Sequence, residues 1–277
     1  MKVIMKNLLR IITTLLCLSL FQCYGIIKPI RKRSEAVEAS AAAKTFIQQV
    51  LRDYELDPNS CKILAYNDPN SDDGASADSI KNIIYLNEAF SSFNSFDLNK
   101  NAFQIYVCYH EVGHIKDRAS QKIVAANIAT TLISTAVLCY LGQKLLYYLD
   151  PKCMPNSSTP SFVSYCSLAA NISALATKFF VSTKFENAAE IRADILACEQ
   201  LLKEEWGLKP ISEYLFHLIQ YQRKPKTRSH DAFAEYDNIA QLLKKHEYDV
   251  QTIVSGNRVT ITIIKNNIVK LRESRWI

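Results

Sequence analysis

Glycine and proline are scarce in this chain of 277 residues, which holds only 6 glycines and 8 prolines. Both residues interrupt regular structure, so their scarcity favours a helix-rich fold and excludes collagen-like and low-complexity chains. No two glycines lie close together. This spacing excludes the Gly-rich phosphate loops of nucleotide-binding proteins and the GxSxG turn that carries the nucleophile of α/β-hydrolases.

Paired cysteines and a concentrated basic surface are missing as well. None of the eight cysteines forms a CxxC pair, so a cysteine-based zinc knuckle is not expected. The formal net charge is +6, but the bases are spread along the chain apart from short runs at 28–33 and 223–228. Nucleic-acid-binding proteins concentrate their bases on one face, so we expect no nucleic-acid partner.

The N-terminus has the order of a secretory signal. Residues 1–25 begin with basic residues, continue with an uncharged apolar run and end on the small residue Gly25. An uncleaved membrane anchor is the alternative, because the uncharged stretch extends to Ile27. Export would place the protein on the extracytoplasmic side of the cell membrane, which we favour. The bases at 28–33 are unusual for an exported flank. The bases on the catalytic side of the two apolar stretches would face the cytoplasm by the charge rule, which leaves a cytoplasm-facing site as the alternative; they are Lys116, Arg118, Lys122, Lys178 and Lys184.

The apolar periodicity predicts an α+β protein that is mainly helical. Helical patterns cover five segments: 35–54, 103–118, 185–206, 211–222 and 231–245. Strand patterns cover residues 62–66 and 82–87, with a loop predicted at 70–78. Near the C-terminus, Val259, Ile261 and Ile263 alternate with threonines, which predicts a β-hairpin.

The most informative feature is the pentad His110-Glu111-Val112-Gly113-His114. Residues four apart lie on one face of a helix, so the two imidazoles can reach one metal ion, and Glu111 can activate a zinc-bound water as general base. Gly113 costs up to about 1 kcal/mol relative to alanine inside a helix. Its presence indicates that a neighbouring backbone approaches the helix closely.

A catalytic zinc usually takes three protein ligands, so a third ligand is expected elsewhere. No HxxGxxH follows His114, which excludes an arrangement of three histidines. Glu190 can supply the ligand, and Asp194, one helical turn later, can accept a hydrogen bond from a ligand histidine and fix its tautomer. Glu186, one turn before Glu190, is the competing ligand.

The segment HEVGHIKD, followed after two apolar stretches by EIRAD, resembles the gluzincins of metallopeptidase family 48, the HtpX-like and CAAX-prenyl-protease-like enzymes. The likeness spans roughly residues 62–194. It implies a zinc metallopeptidase domain of the zincin type over 35–246, a small sheet edging the cleft, and one zinc ion per chain. It also implies a hydrophobic helical hairpin at 123–181 between the ligand helices, with the β-hairpin of 247–277 as a C-terminal extension.

The resemblance also bears on the substrate strand and on one further histidine. The segment NIIYLN at 82–87 is similar to the strand that edges the family's cleft, so we expect it to bind an extended substrate through its backbone. The alternative is that both of its edges are paired within the sheet. His230 stands where the family often has a His-Pro segment; it could assist at the site, or it is an ordinary loop histidine.

Two apolar stretches raise the question of a membrane. Residues 123–141 carry no charge over a length that approaches the roughly 20 residues of a spanning helix, whereas the uncharged segment 162–177 is shorter. Because His114 and Glu190 must meet at one zinc, an even number of spans separates them. We predict a membrane-associated hairpin, and the alternative is a hairpin that covers the cleft of a soluble enzyme.

The residues together predict a zinc-dependent metalloendopeptidase that hydrolyses protein or peptide substrates, with membrane proteolysis or quality control as its setting. One alternative is a peptidase-like protein that binds unfolded or membrane proteins without cleaving them, although the intact Glu111 argues against it. The other is a membrane-anchored structural protein in which the pentad arose by chance.

Overall fold

The computed structural model describes residues 36–66, 74–87, 98–149, 171–173, 183–223 and 232–276. Helices and two small β-sheets make the protein α+β, as predicted. The chain divides into two compact units. For the described residues, one unit lies within 36–120 and 187–276, and the other lies within 121–186.

The first sheet has the strand order β1-β2-β4-β3. Its strands are β1 (Val37–Glu38), β2 (Lys62–Tyr66), β3 (Ala75–Asp78) and β4 (Ile83–Asn87). Strand β4 runs parallel to β2 and antiparallel to β3, so both of its edges are paired. The expectation that residues 82–87 edge the cleft with a free side is therefore wrong, and β3 is the outer strand on this side of the sheet within the described ranges.

The composition of the two strands explains this error. Ile84, Tyr85 and Leu86 are consecutive and all buried, as in a strand that is covered on both faces and lies inside a sheet. Strand β3 reads Ala-Ser-Ala-Asp, which has no apolar alternation, so the sequence predicted a loop there. Short polar strands are typical of sheet edges, where a longer apolar strand would invite aggregation.

Five helices contribute buried side chains to a hydrophobic core that they share with both sheets. They are α1 (Ala41–Asp53), α2 (Leu98–Asp117), α4 (Thr183–Leu201), α5 (Leu208–Arg223) and α6 (Ala232–Lys245). The side chain of Ser40 accepts a hydrogen bond from the amide of Ala43 and caps α1, so this helix begins later than predicted. Helix α2 carries the HExxH pentad and packs against α1, α5 and β3.

Helix α3 (Ala119–Leu149) follows α2 after Arg118, whose φ of 52° ends the first helix. Its segment Gln121–Leu141 is long and apolar enough to cross a membrane. At 1.5 Å per residue that segment spans about 30 Å, the thickness of a bilayer's hydrocarbon core. The second arm of the predicted hairpin, 162–181, lies outside the described residues except for 171–173.

The C-terminal region forms a three-stranded antiparallel sheet in the order β5-β6-β7. Its strands are β5 (Tyr248–Ser255), β6 (Arg258–Lys265) and β7 (Ile268–Trp276). The predicted alternation is confirmed, because Val259, Ile261 and Ile263 on β6 are fully buried. The predicted hairpin is β5–β6, and β7 adds a third strand.

The missed third strand had a signal in the sequence. Asn266 and Asn267 both have positive φ, which is the conformation of a two-residue hairpin turn, and asparagine tolerates it well. The strand beyond them, IVKLRESRW, is mostly exposed and charged. Its charges bind it to α5, where Lys209 contacts Glu273 and Arg275 contacts Glu213.

Candidate metal centre

Helices α2 and α4 approach each other closely where Gly113 meets Ala193. A Cβ atom on Gly113 would lie 3.1 Å from the carbonyl oxygen of Ala193 and 3.2 Å from its Cα. Contacts this short force a neighbour to move, and here the neighbour is the backbone of Ala193, a fully buried residue. The close approach predicted from the glycine is confirmed, and it brings the two motifs face to face.

His110, His114 and Glu190 converge across this helix contact. The Nε2 atom of His110 lies 3.0 Å from Nε2 of His114 and 3.0 Å from Oε2 of Glu190. The remaining distance, from Nε2 of His114 to Oε2 of Glu190, is 3.3 Å. Together the three side chains could hold a metal ion.

The donor set fits zinc in type and in spacing. Two imidazole nitrogens and one carboxylate oxygen are ligands that zinc accepts. Bonds of about 2.05 Å at tetrahedral angles place ligand atoms roughly 3.3 Å apart, close to the three distances found here. Glu186, the competing ligand, is exposed on α4 and is not part of this group.

Asp194 lies behind His110, as the sequence predicted for an outer partner. Its side chain is buried, and its Oδ1 atom is 2.7 Å from Nδ1 of His110. A proton on Nδ1 donates to this carboxylate and leaves the lone pair of Nε2 directed at His114 and Glu190. The carboxylate therefore selects the tautomer that a metal ligand needs.

The electrostatics of the cluster favour a positive charge at its centre. Burial acts to lower the pKa of His110, but the carboxylates of Asp194 and Glu190 outweigh it and raise that pKa. Burial acts to raise the pKa of Glu190, but His114 and His110 hold it well below its usual range. A divalent cation would supply this charge in place of a proton, so metal binding competes with protonation of the imidazoles.

Other residues of the two motifs hold the helices in place. The Nε atom of Arg192, inside EIRAD, lies 2.9 Å from Oδ2 of Asp117, the last residue of HEVGHIKD. Lys116 donates to the backbone carbonyl of Tyr54 at the end of α1. The ion pair between Arg192 and Asp117 was not predicted, although both partners lie within the segments HEVGHIKD and EIRAD.

Three residues beside Asp194 were also missed. Tyr106, one turn before His110, donates from its hydroxyl to Oδ1 of Asp194 over 3.0 Å. Its ring stacks on Tyr214, whose hydroxyl donates to Glu235. Glu235 is buried, and burial together with Glu235 and Glu190 raises the pKa of Asp194 despite the opposing charge of His110. The helical period could have indicated Tyr106, but α5 and α6 offered no such signal.

Two further residues were predicted at the site, Glu111 and His230. Glu111 is buried on α2, next to His110. His230 lies outside the described residues.

Comparisons of the chain with protein-family models, with curated proteins and with solved structures found no match. The resemblance to metallopeptidase family 48 therefore stays a prediction.

Replacing Gly113 tests whether the helix contact sets the metal geometry. Alanine should raise helix propensity by up to about 1 kcal/mol, yet its Cβ would press on the Ala193 backbone. We expect Gly113→Ala to lower zinc affinity and Gly113→Val to lower it further, measured by competition with a chromophoric chelator. Wild-type affinity in Gly113→Val would contradict this account of the contact.

The third ligand is tested by two glutamates on one helix. Glu190→Ala should abolish tight zinc binding, because it removes a carboxylate that faces both imidazoles. Glu186→Ala is the matched control and should bind zinc as the wild type does. Asp194→Ala should weaken binding by about 10–100-fold, as for an outer partner. Zinc retained after dialysis of each variant gives the answer, and a reversed order of the two glutamates would move the ligand one turn upstream.

Proposed function

We propose that the protein is a zinc-dependent metalloendopeptidase with a zincin-type domain. The observation that carries the proposal is the convergence of His110, His114 and Glu190 on one point, with Glu111 beside them on α2. Two imidazoles and a carboxylate leave a fourth position open, as catalytic zinc sites do. The resemblance of both motifs to family 48 gluzincins supports the same reading.

Each residue of the site has a distinct part in peptide hydrolysis. When bound, zinc supplies a Lewis acid that polarises a carbonyl and lowers the pKa of a water. His110, His114 and Glu190 would hold the ion, and Asp194 keeps His110 in the ligating tautomer. Glu111 is the general base: its carboxylate takes the proton of the attacking water and delivers it to the leaving amine.

The substrate would bind along β3 and not along β4. Among the residues that the structure describes, strand β3 is the last in its sheet; it pairs with β4 on one side and packs against the helix that carries the pentad. An extended peptide can add to such an edge through backbone hydrogen bonds, which do not depend on its side chains. This mode of binding suits an endopeptidase that accepts many protein sequences.

The membrane is the setting that the surface of α3 favours. Ile133, Val137 and Leu141 recur at helical spacing and are exposed, whereas Thr131 and Thr135 on the other face are buried. A water-soluble helix has the reverse distribution. Apolar side chains outward and polar side chains inward are the distribution of a helix in lipid, so we propose that the peptidase is membrane-associated.

Glu111→Gln tests the peptidase assignment. The substitution keeps the ligands and the size of the side chain but removes the base, so cleavage of casein should fall by at least about 100-fold while zinc content stays at one ion per chain. Cleavage that persists at the wild-type rate would show that Glu111 is not the base. A wild-type protein that binds zinc and unfolded casein without cutting it would favour the non-cleaving alternative.

Tryptophan fluorescence tests the membrane proposal. Val137→Trp places a fluorophore on the exposed face of α3, and the emission it adds should be quenched in vesicles whose acyl chains carry bromine. Gln251→Trp, on the exposed side of β5, is the matched control and should not be quenched. Equal, unquenched emission from both positions would contradict a lipid-facing α3.

A further inference from the structure

Tyr106 contacts Asp194, which in turn contacts the metal ligand His110. Its side chain is fully buried, and a buried tyrosine hydroxyl needs a hydrogen-bond partner. That partner is Oδ1 of Asp194, at 3.0 Å, which also lies 2.7 Å from Nδ1 of His110. One oxygen of the Asp194 carboxylate therefore accepts hydrogen bonds from two side chains of α2, Tyr106 and His110.

The other oxygen of Asp194 is in a different position. Within the described part of the chain, no group donates to Oδ2, which is buried. The carboxylate consequently holds its orientation through Oδ1 alone. The torsion that turns an aspartate carboxylate is broad, so a single hydrogen bond to His110 would restrain it weakly. The second donor, Tyr106, restricts this rotation.

The ring of Tyr106 is held independently of its hydroxyl. It stacks on Tyr214 with ring centroids 4.0 Å apart and an interplanar angle of 13°. The hydroxyl also lies 3.6 Å from the sulfur of Cys198, a weak contact. Loss of the hydroxyl would therefore remove the restraint on Asp194 and leave the aromatic packing in place.

We propose that Tyr106 is a positioning residue that acts on the metal ligand His110 through Asp194. The hydroxyl fixes the carboxylate, the carboxylate fixes the tautomer and ring orientation of His110, and the Nε2 lone pair then faces the ion. The inference rests on the proposed zinc site and deepens it. It assigns to Tyr106 an effect on metal affinity that aromatic packing alone would not produce.

The test compares two tyrosines of the same helix in the full-length chain. Tyr106→Phe removes the hydroxyl that contacts Asp194, and Tyr109→Phe removes a hydroxyl that donates to Asp53 at 2.5 Å. Both rings are buried, so each variant loses one phenolic hydroxyl from a buried ring. Zinc affinity is measured by chelator competition with zinc alone, beside the melting temperature of the metal-free protein.

We expect Tyr106→Phe to weaken zinc binding by about 3- to 10-fold. This loss is smaller than the one expected for Asp194, because Asp194 contacts the ligand His110 directly. Tyr109→Phe should bind zinc as the wild type does. In cleavage assays, kcat should fall and KM should hold. In an Asp194→Ala background, which lacks the oxygen that accepts from both residues, Tyr106→Phe should weaken zinc binding no further, because its route to His110 is already lost.

Three results would overturn the inference. The first is wild-type zinc affinity in Tyr106→Phe, and the second is an equal loss in Tyr109→Phe. The third is a full additional loss in the Asp194→Ala background, which would mean that Tyr106 acts by another route. Absence of zinc binding in the wild type would instead overturn the proposed function, and this inference with it.

Discussion

The contact between Gly113 and Ala193 is the constraint on which the site depends. It lets two helix backbones approach closely enough for side chains at helical spacing to meet in pairs. One helix contributes residues at intervals of four, and the other contributes the opposing set in the reverse direction. The members of this ladder are Tyr106, His110 and His114 on α2, and Cys198, Asp194 and Glu190 on α4.

The solvent exposure of these paired side chains decreases from one end of the ladder to the other. At one end His114 and Glu190 are partly exposed and can bind an ion that arrives from solvent, whereas Asp194 and Tyr106 are buried. A buried carboxylate is costly unless it is paired and hydrogen-bonded. Asp194 meets this requirement at Oδ1 alone, through the same two contacts that orient His110, so stability and metal binding rely on one set of hydrogen bonds.

Local periodicity made the centre of the site predictable, and non-local pairing limited the rest. The i, i+4 spacing placed His110 with His114 and Glu190 with Asp194, and the glycine indicated a close neighbour. Strand β3 was not predicted, because its register with β4 is set by tertiary packing and not by its own four residues. The roles of Tyr214 and Glu235 were not predicted for the same reason, since no short-range sequence pattern connects α5 or α6 to Asp194.

The central claim is that two imidazoles and one carboxylate bind zinc in this chain, and zinc X-ray absorption spectroscopy of the loaded protein tests it most directly. The account predicts a first shell of nitrogen and oxygen alone at about 2.0–2.1 Å, with the multiple-scattering pattern of two histidines. The chain carries eight cysteines, so another site is chemically open to the ion. A sulfur shell at about 2.3 Å, or a shell without two imidazoles, would contradict the account.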